Sequence, residues 1–114
     1  MTAPKEIYEA RIRNVDVAAA VITLYGPFVP SGKVVRLDLF CALDETTVNK
    51  TIALGIETRT GIKTPLKTAA AGAAEYAVYL DTPVIMVENE RPYATITTPT
   101  ANDEVQLIAR GLYL

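Results

Sequence analysis

The 114-residue sequence contains few side chains that could carry out chemistry. Histidine is absent, and Cys41 is the only cysteine. These two facts exclude Ser-His-Asp and Cys-His catalytic arrangements, zinc sites built on histidine or on cysteine clusters, and CxxC redox pairs. No glycine-rich phosphate loop leads from a strand into a helix, so the common nucleotide-binding motifs are missing as well.

Two groups of acidic residues remain as candidates. Asp44 and Glu45 form one group, and Glu88 and Glu90 form the other. A glycosidase uses two carboxylates, and a calcium site uses carboxylate and carbonyl oxygens. Both groups fall in predicted turns, and no segment has the spacing of a calcium loop. We therefore interpret these acids as solvated turn residues.

Cys41 and the aromatic residues are the other candidates. Cys41 could be a nucleophile, but it alternates with Leu39 and Leu43, which favours a small buried hydrophobe. Six tyrosines, with Phe28 and Phe40, could form a sugar-binding platform. Tyrosine is also common in strands, so packing or interface use is the favoured interpretation. We predict a protein that is not an enzyme, with no catalytic, cofactor-binding or metal-binding residues.

Composition limits the classes of partner. Half of the residues are hydrophobic, which is enough for a core, and the length predicts a single domain over residues 1–114. The net charge is −2 and the 11 basic residues are scattered, so we expect no nucleic-acid binding. No apolar stretch approaches the roughly 20 residues needed to span a bilayer, and no signal region follows the first residues. We therefore expect no membrane association and a cytosolic site of assembly.

The strongest structural signal is alternation with period two over residues 34–43, which predicts a strand. We expect Leu39 to lie in the core and Arg36 on the opposite face. The predicted core face carries Val35, Leu37, Leu39, Cys41 and Leu43, and the other face carries Val34, Arg36, Asp38, Phe40 and Ala42.

Similar but weaker patterns recur along the chain, with glycine, proline, asparagine and aspartate between them. Eight or nine short antiparallel strands without a βαβ rhythm predict an all-β fold, a β-sandwich of jelly-roll type. Residues 68–74 are rich in alanine, and we expect a loop or a single helical turn there. The other predicted strands cover residues 8–13, 21–25, 52–57, 62–67, 76–81, 84–87, 93–97 and 105–113.

Several segments, taken in order, resemble small phage virion proteins that decorate or cement a capsid. The resemblance is carried by residues 26–37 (GPFVPSGKVVRL), 52–56 (IALGI), 80–88 (LDTPVIMVE), 93–97 and 105–114. It implies a compact β-sandwich in the virion, assembled in the host cytoplasm, with the viral coat protein as partner. It transfers no functional residue. A tail or connector component, and a module that binds a carbohydrate or receptor, are the alternatives.

The sequence has more apolar residues than the core of one sandwich can bury, which indicates an interface. A sandwich of this size buries one face of each sheet, yet residues 84–87 are apolar on both faces, and Ile108 and Leu112 oppose an apolar set near the end of the chain. Apolar area beyond what one sandwich buries marks an interaction surface, unless long loops cover it. We expect a homo-oligomer, with a trimer as first choice and residues 84–87 as the candidate contact.

Overall fold

Alternating polar and apolar residues form nine strands in a computed structural model that describes residues 6–15, 18, 20–71, 76–97 and 99–114. The described residues contain no helix, and hence none long and apolar enough to cross a bilayer. The all-β prediction is confirmed. The strands are β1 Ile7–Asn14, β2 Ile22–Tyr25, β3 Val34–Asp44, β4 Thr51–Thr58, β5 Lys63–Ala70, β6 Ala77–Tyr79, β7 Val84–Val87, β8 Glu90–Thr97 and β9 Val105–Tyr113.

The strands form two antiparallel sheets with jelly-roll topology, as predicted. The larger sheet, called sheet A below, has the order β1-β9-β3-β6, and β7 pairs with β3 beside β6. The smaller sheet, sheet B, has the order β2-β8-β4-β5. Most consecutive strands therefore cross from one sheet to the other, and this crossing generates the two interleaved Greek keys of a jelly roll.

The hydrophobic core lies between the two sheets and is filled by the inward side chains of both. Sheet B contributes alternate positions of β4, where Ile52 and Leu54 are buried, and Ile96 of β8. Because side chains alternate along a strand, one face of each sheet supplies the core and the other is left to solvent or partners. The remaining large core side chains include Val29, Val35, Leu37, Phe40, Met86, Val105 and Leu107.

A β-bulge in β3 overturns the predicted face of its second half. Leu37 pairs with Gly111 and Leu39 pairs with Arg110, so Asp38 has no counterpart on β9. One extra residue reverses the alternation. Gly111 is required opposite the bulge, because an added Cβ would lie 1.8 Å from the carbonyl oxygen of Arg36.

The consequence is that the predicted core face of β3 is correct only before the bulge. Val35 and Leu37 point inward as expected, but after Asp38 the inward positions are Phe40, Ala42 and Asp44. Leu39 is 38% exposed, whereas Phe40 is 2% exposed and lies in the core. The prediction that Leu39 is a core residue is wrong.

Residues 30–33 form a turn before β3: Lys33 N donates to Pro30 O at 3.1 Å, and Gly32 has a positive φ of 77°. The expected loop or turn at residues 68–74 is wrong for residues 68–70, which continue β5 by pairing with Thr51 to Ala53 of β4. Residues 72–74 of that segment lie outside the described residues.

Candidate interaction surface

The outer face of sheet A carries apolar side chains in rows that cross its strands. Directly paired residues of antiparallel strands point to the same face. One row joins Ile85 of β7 to Leu112 of β9 and Ile7 of β1, with Arg36 of β3 between them. The next apolar row consists of Tyr79, Cys41 and Ile108.

Many of these side chains are exposed. The described part of the chain has 11 exposed large hydrophobic residues, and five of them project from strands of this one face. Large apolar residues scattered singly over a surface are ordinary, but a cluster on one sheet face indicates an interaction surface. The five are Ile7, Leu39, Tyr79, Ile85 and Val87.

Strand β7 confirms the prediction that residues 84–87 are apolar on both faces. Met86 pairs with Val35 and is buried in the core. Ile85 and Val87 point the other way, and Ile85 is 53% exposed. A strand at the edge of a sheet with apolar residues on both sides needs a second apolar environment on its outer side.

Two shallow depressions lie along the same face. One is lined by Leu43, Tyr76, Ala77 and Tyr79 at the β6 edge. The other lies toward β1, and its six lining residues are Ile7, Asp38, Leu39, Arg110, Gly111 and Leu112. Such depressions suit protruding side chains of a flat partner surface better than they suit an enclosed small molecule.

Two exposed ion pairs lie on this face. Arg36 Nε lies 2.9 Å from Asp38 Oδ1, and Arg110 Nε lies 3.9 Å from Glu9 Oε2. Exposed pairs of this kind add little stability. Their charges cancel, so the rows of apolar residues are bordered by charges without a dominant sign.

Cys41 is buried, as predicted, but not for the predicted reason. After the bulge its side chain belongs to the outer face of sheet A, paired with Tyr79 on one side and Ile108 on the other. It is therefore covered by outer-face neighbours and does not belong to the main core cluster. Burial raises the pKa of its thiol.

We expect Cys41 to react slowly with thiol reagents in the native protein, because a raised pKa leaves less thiolate and burial blocks access. Titration with a chromogenic disulfide, with and without denaturant, measures this. Modification at the same rate in both conditions would contradict the burial of the outer-face row.

The outer face of sheet B has a different chemistry. Arg91 stacks between Tyr25 and Phe28, at 4.0 and 4.5 Å from the ring centroids, and Arg59 lies 4.2 Å from the ring of Phe28. Lys63 extends this ladder of cations and aromatic rings, at 5.5 Å from the ring of Tyr25. These cations are engaged with rings within the chain, which makes the ladder a structural element.

Glu57 anchors the ladder. Arg91 donates to its Oε1 from Nε at 2.8 Å and from a terminal nitrogen at 2.6 Å. The Glu57 side chain is buried on β4 between its register partners Arg91 of β8 and Lys63 of β5. The sequence interpretation did not single out this pair, because Glu57 and Arg91 are 34 residues apart and only strand pairing brings them together.

The acidic residues named from the sequence mostly have structural partners, and Asp44 is not the solvated turn residue that was predicted. It is completely buried at the end of β3, and its Oδ1 accepts hydrogen bonds from the backbone N–H groups of Thr46 and Thr47. Glu88 accepts from Gly32 N, and Glu90 accepts from Val87 N. Among the described residues, no group of three or more His, Cys, Asp or Glu side chains is placed to hold a metal ion.

The tyrosines do not gather on one concave face. Tyr8 is buried and packs edge-to-face on Tyr113, with centroids 6.0 Å apart, while its hydroxyl donates to Pro27 O at 2.6 Å. Tyr25 and Tyr93 lie on the outer side of sheet B, and Tyr79 lies on that of sheet A. The structure therefore agrees with packing and surface roles divided between the two sheets.

No family model matches the chain, and no curated protein matches it in sequence. Among solved structures, it is similar to the NLP core of Drosophila, with 15% identity, a TM-score of 0.44, and coverage of 92% of this chain and 96% of that one. The crystal structure of that protein is described as giving insight into its pentamer formation and histone binding. At this TM-score the likeness carries no argument about the chain described here.

Proposed function

We propose that this chain is a non-enzymatic structural protein of a phage particle that decorates the capsid by binding the coat lattice. The observation that carries the proposal is the exposed apolar face of sheet A, formed by β7, β3, β9 and β1. A protein that cements a shell needs surface area that gains free energy on leaving water, and it needs no cofactor. Jelly rolls are common among viral capsid domains, which agrees with the role by analogy of fold.

The proposed mechanism is mechanical. Copies of the chain associate through the β7 part of the outer face of sheet A, where Ile85 and Val87 are exposed. The rest of that face, toward β1, lies against neighbouring coat subunits. Apolar burial provides the main free energy, at about 25 cal/mol per Å² of surface removed from water. The paired charges that border the face fit a second copy, because a two-fold or three-fold arrangement can set Arg36 of one copy near Asp38 of another.

A binding module for a carbohydrate or receptor receives less support. Such a module would gather its tyrosines on one concave face, whereas Tyr25 and Tyr79 lie on opposite sides of the sandwich. A tail or connector component would use the same apolar face, so it differs from the proposal in the partner and not in the chemistry.

We expect the isolated chain to be a homo-oligomer that Ile85→Asp dissociates, because the change places a charge on the exposed row of β7. Light scattering coupled to size exclusion at micromolar concentration measures the mass. A trimer would have three times the chain mass of 12.3 kDa. Met86→Asp is not an equivalent test, because Met86 lies in the core.

Ile62→Asp is the matched control. Ile62 is 64% exposed, comparable with Ile85, but it lies in the connection between β4 and β5, away from sheet A. The control variant should keep the wild-type mass. A wild-type protein that stays at 12.3 kDa on concentration would contradict self-association, and an Ile85→Asp variant that stays assembled would place the contact elsewhere.

The capsid role is tested on particles. A tagged copy of the chain is expressed during assembly of the phage that encodes it, and purified particles are examined by gradient sedimentation and mass spectrometry. We expect the chain to sediment with the particles in a fixed ratio to the coat protein. Recovery only in the soluble fraction, from particles of normal composition, would contradict a virion role.

A further inference from the structure

Two buried carboxyl groups meet at the end of the sandwich where β3 ends and the turn before β9 begins. Asp44 is 0% exposed and Asp103 is 2% exposed. Thr47 joins the two side chains: its backbone N–H donates to Asp44 Oδ1 at 2.9 Å, and its hydroxyl donates to Asp103 Oδ1 at 3.0 Å. Two ionised carboxylates held this close in a buried site repel each other, so the arrangement favours a proton on one of them.

The remaining partners identify which carboxyl holds the proton. Asp44 Oδ1 accepts two backbone N–H groups, but the buried Oδ2 has no hydrogen-bond partner among the described residues. Both oxygens of Asp103 have donors: Thr47 Oγ1 donates to its Oδ1 at 3.0 Å, and Thr100 N donates to its Oδ2 at 3.1 Å. A proton on Asp44 Oδ2 removes the charge from the side chain with the unpartnered oxygen and leaves it on Asp103, whose donors stabilise it.

The pair closes two chain segments onto each other. Glu45 N donates to Glu104 O at 2.7 Å, and Glu104 N donates to Thr46 Oγ1 at 3.1 Å. These two bonds and the carboxyl pair join the connection after β3 to residues 99–104. We infer that Asp44 and Asp103 share one proton and form a pH-dependent latch between the β3–β4 connection and this turn.

The pKa directions agree with the geometry. The pKa of Asp44 is raised, first because burial penalises its charged form and then because the neighbouring carboxyl of Asp103 favours its protonated form; the N–H groups of Thr47 and Thr46 oppose this rise. Burial also acts to raise the pKa of Asp103, but the protonated Asp44 and the hydrogen bonds from Thr47 and Thr100 outweigh it, so the pKa of Asp103 is lowered.

Other charged groups surround the pair. Lys50, on the same connection, helps to lower the pKa of Asp103. Arg13 of β1 bridges Glu45 and Glu104, and Gln106 of β9 donates to Glu45. The carbonyl oxygen of Tyr76 accepts a hydrogen bond from Asp44 N at 3.1 Å. The neighbouring acids are thus already paired, and deprotonation of Asp44 adds an unpaired charge beside Asp103.

The sign of the effect follows from linkage. In the folded protein the pKa of Asp44 is raised above the ordinary value of 3.8. Its contribution to stability is therefore complete below pH 3.8 and is lost as the pH rises through the raised pKa. In the folded protein the pKa of Asp103 is lowered below 3.8. Its contribution to stability is therefore present above pH 3.8 and is lost as the pH falls through the lowered pKa. The latch therefore adds most stability near the ordinary aspartate pKa and loosens toward neutral pH.

Carbon-detected NMR titration of the wild-type carboxyl groups tests the shared proton directly. We expect two coupled steps, one on each side of 3.8, with each step visible at both residues. A single step near 3.8 at both residues would overturn the proposal. This measurement needs no variant and so cannot fail through misfolding.

Asp44→Asn tests the latch as a device, because the amide is neutral, as the protonated acid is, and cannot ionise. Between pH 4 and pH 7 the urea midpoint should fall more in the wild type than in this variant. Over the same pH range, native amide exchange of Thr46, Thr47 and Thr100, corrected for intrinsic rates, should accelerate only in the wild type. Asp81→Asn, at an exposed aspartate, should behave as the wild type. Equal pH dependence in the wild type and Asp44→Asn would overturn the latch.

Discussion

Replacing Phe40 with alanine should lower the free energy of unfolding by about 3–5 kcal/mol, whereas Leu39→Ala should cost about 1 kcal/mol or less. The two residues are neighbours on β3, but the bulge at Asp38 sends Phe40 into the core and Leu39 to the outer face of sheet A. The difference follows because the phenylalanine leaves a cavity among packed side chains and the leucine does not.

Urea unfolding followed by circular dichroism, at one fixed protein concentration, measures both variants. A fixed concentration matters because self-association adds to the apparent stability of the wild type. A larger loss for Leu39→Ala than for Phe40→Ala would mean that the alternation of β3 continues through Asp38 without reversal. Such a result would also remove Leu39 from the proposed interaction surface.

Arg91→Ala should lower the free energy of unfolding by about 3 kcal/mol, near the lower end of the range for breaking a buried ion pair. The change leaves the Glu57 carboxylate buried on β4 and removes the stacking of the guanidinium on Tyr25 and Phe28. The Arg91 side chain is partly exposed, so water reaches one side of the site and moderates the loss.

The matched control for this prediction is Arg110→Ala, which breaks the exposed contact with Glu9 and should cost about 0.5 kcal/mol or less. A second variant, Glu57→Leu with Arg91→Met, replaces the pair with apolar groups and should recover most of the stability. Equal losses of unfolding free energy for Arg91→Ala and Arg110→Ala would mean that the ladder on sheet B does not stabilise the fold.

The candidate surface was partly predictable from the sequence. Residues 84–87 form an apolar run too short for a helix, and that run indicated a strand that is apolar on both faces. Leu39 and Tyr79 could not be assigned to the same surface, because their place there depends on the bulge in β3 and on the pairing of β6 with it. Periodicity describes one strand at a time and contains no information on its neighbours.

The buried carboxyl pair shows the same limit. Asp44 and Asp103 both lie in polar segments that are typical of turns, and a polar turn predicts solvated acids. Their burial arises from the return of the chain: β9 pairs with β3 so that Val105 is opposite Asp44, and this brings the turn before β9 onto the end of β3. No local pattern encodes a contact between residues so far apart in sequence.

The sequence by itself determined the all-β class, the jelly-roll sandwich and the positions of most strands and turns. Alternation and turn chemistry act over a few residues, so they can be interpreted without knowing the rest of the chain. Only the tertiary structure decided which side of β3 after Asp38 faces the core, and which acids are buried. A single inserted residue reverses a strand's faces, and the packing of β9 opposite Gly111 determines where that residue lies.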